Sequence, residues 1–288
     1  MAFTVISQTR SRLGEVPVWS VQDQCVWWVD VLSATLHRYV PATGEQTDFK
    51  VPMRRLGCIA LRARGGLVLG TEQGLFGFDP ASGATEFLTH PEPGKATHRL
   101  NDGRCDRRGQ FWVGSMNEQA FVPEGTLFRV DGDLSVTTML SDIIVPNSIA
   151  FSPDDRTLYF ADTRAYAISA FDFDIAEGRI SNRRVFAQTR APGRPDGSCV
   201  DAGGFLWNAL YAGGCLVRYA PDGRVDRVVE LPVTHPTCCA FGGDGLGTLF
   251  VTSASEPAMT SNDPGPHGGQ LIGLDVGVRG LPEPAFAG

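Results

Sequence analysis

This chain has no long hydrophobic run, no excess of positive charge and no cysteine pattern, and each absence narrows what it does. No stretch approaches the roughly 18 consecutive apolar residues of a membrane-spanning helix, so neither a helical span nor a membrane partner is expected. No helical spacing of apolar residues persists beyond about ten positions, which argues against helical layers. Lys and Arg total 25 against 32 Asp and Glu, a net charge of −7. With no basic face to neutralise phosphates, nucleic acid is not an expected partner. The seven cysteines are odd in number, irregular in spacing and free of any C-x-x-C, so buried free thiols are expected rather than disulfides. There is no H-E-x-x-H among the five histidines, no G-x-S-x-G elbow and no phosphate-binding glycine loop. The opening MAFTVISQTRSRLGE has no apolar segment. No secretory leader is therefore expected, and the expected compartment is the cytoplasm.

What the 288 residues do have is turns and repeats: 34 Gly, 19 Pro, and six short apolar or aromatic runs, each following a tight turn. The runs are WWVD (27–30), LVLG (67–70), FWVG (111–114), LYFA (158–161), LWNA (206–209) and LFVT (249–252). They recur about every 40–48 residues, the period of a four-stranded propeller blade. The expected fold is all-β: a six-bladed β-propeller of four-stranded antiparallel blades, in one domain over residues 1–288. Residues 270–276 are expected to form the third strand of the last blade and residues 3–9 to supply the strand that closes the ring. The turn-rich segment 256–269 is expected to be a loop over one mouth.

Counting back ten to twelve positions from each run reaches Glu15, Gly57, Asn101, Asn147, Asp196 and Cys238. Equivalent points in a propeller lie near its axis, so polar side chains distant in sequence are expected to converge there. Glu15, Asn147 and Asp196 make an oxygen-only set suited to a hard divalent cation, with room left for water and substrate. Taken singly, each has a plainer reading: a strand-end glutamate, a turn asparagine, an Asp-Gly turn. Arg99 and Asn101 are two apart on a strand and share a face, where they could hold an oxyanion or sugar hydroxyls. His37, His90, His98, His235 and His267 are expected to be structural.

The motifs RLGEVPVW (12–19), HRLNDGRCDRRGQFWVGSM (98–116), VPNSIAFSPDDRTLYFADT (145–163), RPDGSCVDAGGFLWNAL (194–210) and the tail GLDVGVRGLPEPAFAG (273–288) together resemble the family of senescence marker protein, gluconolactonase and luciferin-regenerating enzyme. The resemblance covers essentially the whole chain. It implies a six-bladed propeller with one divalent cation on the axis, held at the positions of Glu15, Asn147 and Asp196. Asp196 also matches the family's proposed general base, and Arg99 and Asn101 match its substrate contacts. Ca²⁺ is the favoured ion, with Mg²⁺, Mn²⁺, Zn²⁺ or Fe²⁺ as alternatives. Two departures stand out. The family usually has Gly after the glutamate, where this chain has Val16. After GSM the chain reads NEQ (117–119), so Glu118 and Gln119 are further substrate-contact candidates. The implied activity is metal-dependent hydrolysis of a sugar lactone to the aldonic acid, the metal polarising the carbonyl and Asp196 activating water, in a monomer or small homo-oligomer. The rival readings are another lactonase or a phosphotriesterase-like hydrolase on the same scaffold, and a non-catalytic metal-binding propeller.

Overall fold

A computed structural model describes residues 2–256 and 263–288. The strands pair into six antiparallel sheets of four. Two short 3-10 turns, Thr163–Ala165 and Asp244–Leu246, are the helical elements among the described residues. The six inner strands are Gly14–Ser20, Leu56–Leu61, His98–Cys105, Pro146–Phe151, Arg194–Val200 and Pro236–Gly242. Each touches the inner strands of both neighbouring blades, which closes the ring. All six predicted runs are second strands: WWVD, for example, lies in Cys25–Asp30 and FWVG in Phe111–Asn117. Neighbouring blades cover both faces of these strands, so they read as nearly unbroken apolar runs. Outer strands such as Glu45–Lys50 and Val225–Glu230 face water and alternate or turn polar.

The chain closes as expected. Phe3–Val5 pairs antiparallel with Ile272–Asp275, the third strand of blade six, and supplies that blade's fourth strand. Of the segment expected to be a loop over one mouth, residues 257–262 lie outside the described residues. Its latter part is tied back to the body: Arg10 donates to the carbonyls of Pro266 and Gly268.

A local device recurs at the turns between inner and second strands. In blade three, Asp106 accepts the Arg108 and Gln110 amides on one oxygen and the Trp112 indole on the other. In blade five, Asp201 does the same for Gly203, Phe205 and Trp207, and also pairs with Arg218 at 2.7 Å. One carboxylate thereby satisfies a turn and anchors the aromatic ring of the next strand.

The C-terminal segment lies across this same end of the propeller. Gly280 bridges to Asp201 in blade five, and Phe286 bridges to Arg62 in blade two. Phe286 is fully buried in the core of blades one to three. All seven cysteines are buried and unbridged. Adjacent Cys238 and Cys239 diverge, the first toward Glu15 and Asp102, the second into the core beside Cys199, their sulfurs 3.6 Å apart.

Candidate axial site

Each inner strand slips register against its neighbour near its start, across Glu15/Val18, Leu56/Cys58, Leu100/Gly103, Asn147/Ala150, Pro195/Ser198 and Pro236/Cys238. A bulge re-aims the side chain at its step, and these steps coincide with the positions read from the repeat. The residues after two of them carry positive φ, Val16 at 46° and Ser148 at 62°. That explains why a glycine suits the position of Val16: a β-branched residue there is held in a costly conformation. In blade two the residue at the repeat position of Glu15 is Gly57, and a Cβ there would lie 2.0 Å from the carbonyl oxygen of Leu100, so blade three's backbone fills the space.

Glu15, Arg99, Asn101, Asn147 and Asp196 are all buried, with 4–9% of their surface exposed. Asn101 links polar groups of blades three and four. Its amide donates to the carbonyl of Pro146 at 2.8 Å and to Asn147 Oδ1 at 3.3 Å, and its oxygen accepts from Arg99 Nη1 at 2.6 Å. Arg99 Nε stands 3.3 Å from Glu118 Oε2, a charge contact without hydrogen-bond alignment. Asn147 Nδ2 donates to the Thr163 hydroxyl, which donates in turn to the carbonyl of Pro195 beside Asp196. Asn208 donates to the backbone carbonyl of Asp196.

Asp102, not singled out by the sequence, is a third buried carboxylate here. Its Oδ2 accepts the Ile149 amide at 3.0 Å, tying blade three to blade four. Burial, with the Asp102 charge next, pushes the Glu15 carboxyl up to about 8. Burial and then the Glu15 charge push Asp196 well above the usual carboxylate range. The physical cause is shared: three carboxylates in a dry pocket repel one another, and Arg99 offsets them only in part. Below them, Arg104 pairs with Glu283 of the C-terminal segment at 3.2 Å.

A hard cation fits this donor set. The side chains facing one another are oxygen donors, and Asp196 Oδ1 is buried without a hydrogen-bond partner. Thr163 gives its only proton to Pro195, so Asn147 must present nitrogen to Thr163 and oxygen to the axis. Among the described residues no three His, Cys, Asp or Glu side chains form a ready-made metal cage. A cation held there would rest on two carboxylates and the Asn147 amide. Glu118 lies at the mouth in contact with Arg54, Arg55 and Arg99. Gln119 is exposed on the following loop, and its backbone amide donates to Asn117 Oδ1. A separate cavity of about 500 Å³ opens between blades one and two at the opposite end, and none of the axial residues lines it.

A closed six-bladed propeller with a buried cluster of acidic and amide side chains on its inner strands is thus the class of protein defined here. The chain belongs to the SMP-30/Gluconolactonase/LRE-like family, which matches it over residues 13–255. It is 36% identical to a 6-deoxy-6-sulfogluconolactonase of Pseudomonas putida over 96% of both chains. It is 37% identical to an L-arabinolactonase of Azospirillum brasilense, over 99% of this chain and 95% of the relative. The crystal structure of a calcium-binding protein, regucalcin, from Agrobacterium tumefaciens superposes with a TM-score of 0.93 at 32% identity, covering 99% of this chain and 97% of that one.

Proposed function

We propose that this protein is a divalent-cation-dependent lactonase that opens a sugar lactone to its aldonic acid. The observation that carries the reading is the buried, unpartnered Oδ1 of Asp196, set among Glu15, Asn147 and Arg99. Relatives named as lactonases of sugars, and one named as calcium-binding, support the same reading.

Glu15, Asn147 and Asp196 would hold the cation, and Ca²⁺ suits the oxygen donors best, with Mg²⁺ and Mn²⁺ next. A cation bound there would supply Lewis-acid polarisation of the lactone carbonyl. Asp196 Oδ1, free of other bonds, accepts the proton of the attacking water. Arg99, held in place by Asn101 Oδ1 and the Leu100 carbonyl, presents its remaining donors to the ring hydroxyls. Asn101 has both amide protons engaged by Pro146 and Asn147 and one lone pair of Oδ1 taken by Arg99, so it offers a sugar the remaining lone pair while keeping Asn147 in place. Lactones are activated esters, so positioning and one base suffice for useful rates.

The test is a panel of lactones followed with a pH indicator, on protein stripped of metal and then supplied with one cation at a time. Hydrolysis should vanish in chelator and return with a divalent ion. Full activity with metal shown absent by elemental analysis would sink the cation dependence. No hydrolysis of any lactone under any ion would sink the lactonase reading.

A further inference from the structure

Three guanidinium groups meet on one carboxylate at the mouth of the axial pocket. Arg54 Nη1 pairs with Glu118 Oε1, Arg55 Nε donates to Glu118 Oε2 at 2.9 Å, and Arg99 Nε stands 3.3 Å from the same oxygen. Glu118 is the carboxylate with which Arg54 and Arg55 pair, while Arg99 also feels the charge of Glu15. A further carboxylate, Glu72, points both oxygens at the backbone amides of Arg54 and Arg55, at 2.8 and 2.9 Å. It fixes the loop that carries the two arginines. The Nη2 groups of Arg54, Arg55 and Arg99 make no hydrogen bond within the described protein. Arg55 is three-quarters buried, so its unspent donors are not merely solvated side chain at a rim. Guanidinium donors that no protein group takes up mark a place for an anion.

The cluster is joined to the proposed cation set by consecutive contacts: Asn147 to Asn101, Asn101 to Arg99, Arg99 to Glu118, Glu118 to Arg55. We infer that the lactone taken by this site carries an oxyanion (carboxylate, phosphate or sulfonate) at the end of the sugar remote from the lactone carbonyl, bound by Arg55 and Arg54. The inference rests on the lactonase reading and narrows it to acidic sugar lactones. Planar guanidinium groups suit all three oxyanions, because each presents two oxygens to a two-pronged donor. Glu118 then sets the geometry of the arginines rather than binding a neutral hydroxyl by itself.

The probes are D-gluconolactone and its counterparts bearing a carboxylate, a phosphate or a sulfonate at C6. The native protein should prefer at least one charged lactone over the neutral one by ten-fold or more in kcat/KM, and the preferred arm identifies the oxyanion. The double variant Arg54→Gln/Arg55→Gln should lose roughly ten- to 150-fold of that preference, the worth of a charge-assisted hydrogen bond. Should it fail to fold, Arg54→Gln alone serves, since that side chain is 46% exposed. Equal rates on neutral and charged lactones, or equal losses on both in the variant, would overturn the inference. If none of the four is opened, the lactonase reading falls, and calorimetry with glucarate against gluconate decides the anion site separately. Preference for glucarate that the variant loses supports it; no preference overturns it.

Discussion

Asn147 donates its side-chain amide to the hydroxyl of Thr163 at 2.8 Å. The two residues sit on the inner strand of blade four and at the start of the 3-10 turn that follows its second strand. Because the hydroxyl gives its own proton to Pro195, the bond sets the handedness of the Asn147 amide and ties blade four to blade five beside Asp196.

Replacing Thr163 by Val keeps the shape of this fully buried residue and removes the hydroxyl. Asn147 then keeps only the long bond from Asn101, and cation affinity should fall roughly 10- to 100-fold, the usual cost of losing a group that orients a ligand. Calorimetric titration with Ca²⁺ measures it. Unchanged affinity would remove Asn147 from the set.

Asp196→Asn keeps size and most of the oxygen donors but loses the basic carboxylate. We expect kcat to drop on the order of 10²-fold or more, given that a general base contributes roughly 10²–10⁴. Circular dichroism should show the fold intact. Near-normal turnover would mean that Asp196 serves as a ligand only or lies outside the chemistry.

Glu118 gives a pH signature. Burial raises its carboxyl, but the hydrogen bonds from Arg54 and Arg55 and the charges of Arg99 and Arg55 outweigh this and hold it below the usual range. A depressed carboxyl contributes stability above its unfolded value, and that contribution disappears as pH falls through the folded value. The stability gap between native protein and Glu118→Gln should therefore be widest near neutrality and close below about pH 4. Urea midpoints of both proteins across pH 3–7 test it; a gap that widens in acid contradicts the assignment.

Asp201→Ala should cost about 3–5 kcal/mol, because it strands the Arg218 guanidinium with half its partners and frees Trp207 and a turn. Asp201→Asn keeps an acceptor for the Gly203 and Phe205 amides and should cost less. Denaturant midpoints of the two variants give the order, and equal losses would show that the charge is what matters.

The propeller and the axial positions were legible because both are periodic. A second strand buried on both faces needs an aromatic or β-branched run, and its recurrence marks the blade whatever the blade's neighbours do. The polar residue ten to twelve places earlier inherits the same period, so Glu15, Asn147 and Asp196 could be aligned without coordinates. Asp102, Thr163 and Arg55 carry no such mark. Asp102 reads as part of an Asn-Asp-Gly turn, yet the bulge after Leu100 turns it inward to the Ile149 amide. Thr163 and Arg55 lie beside connections between strands, and their partners belong to other blades. Contacts of that kind depend on how blades pack around the ring, which no local pattern records.

Blade six is made from both ends of the chain, Phe3–Val5 beside Ile272–Asp275. A chain growing from its N-terminus therefore leaves the ribosome with its first strand unpartnered until residue 275 emerges. Until then, the opening strand and the outer edge of Thr248–Ser253 are exposed together, and each offers unpaired backbone groups to any other extended chain. The same seam that closes the finished ring is thus its vulnerable point during synthesis. Cutting new termini there would separate the two strands, whereas joining the old ones and opening a turn between other blades would let every blade fold from contiguous sequence.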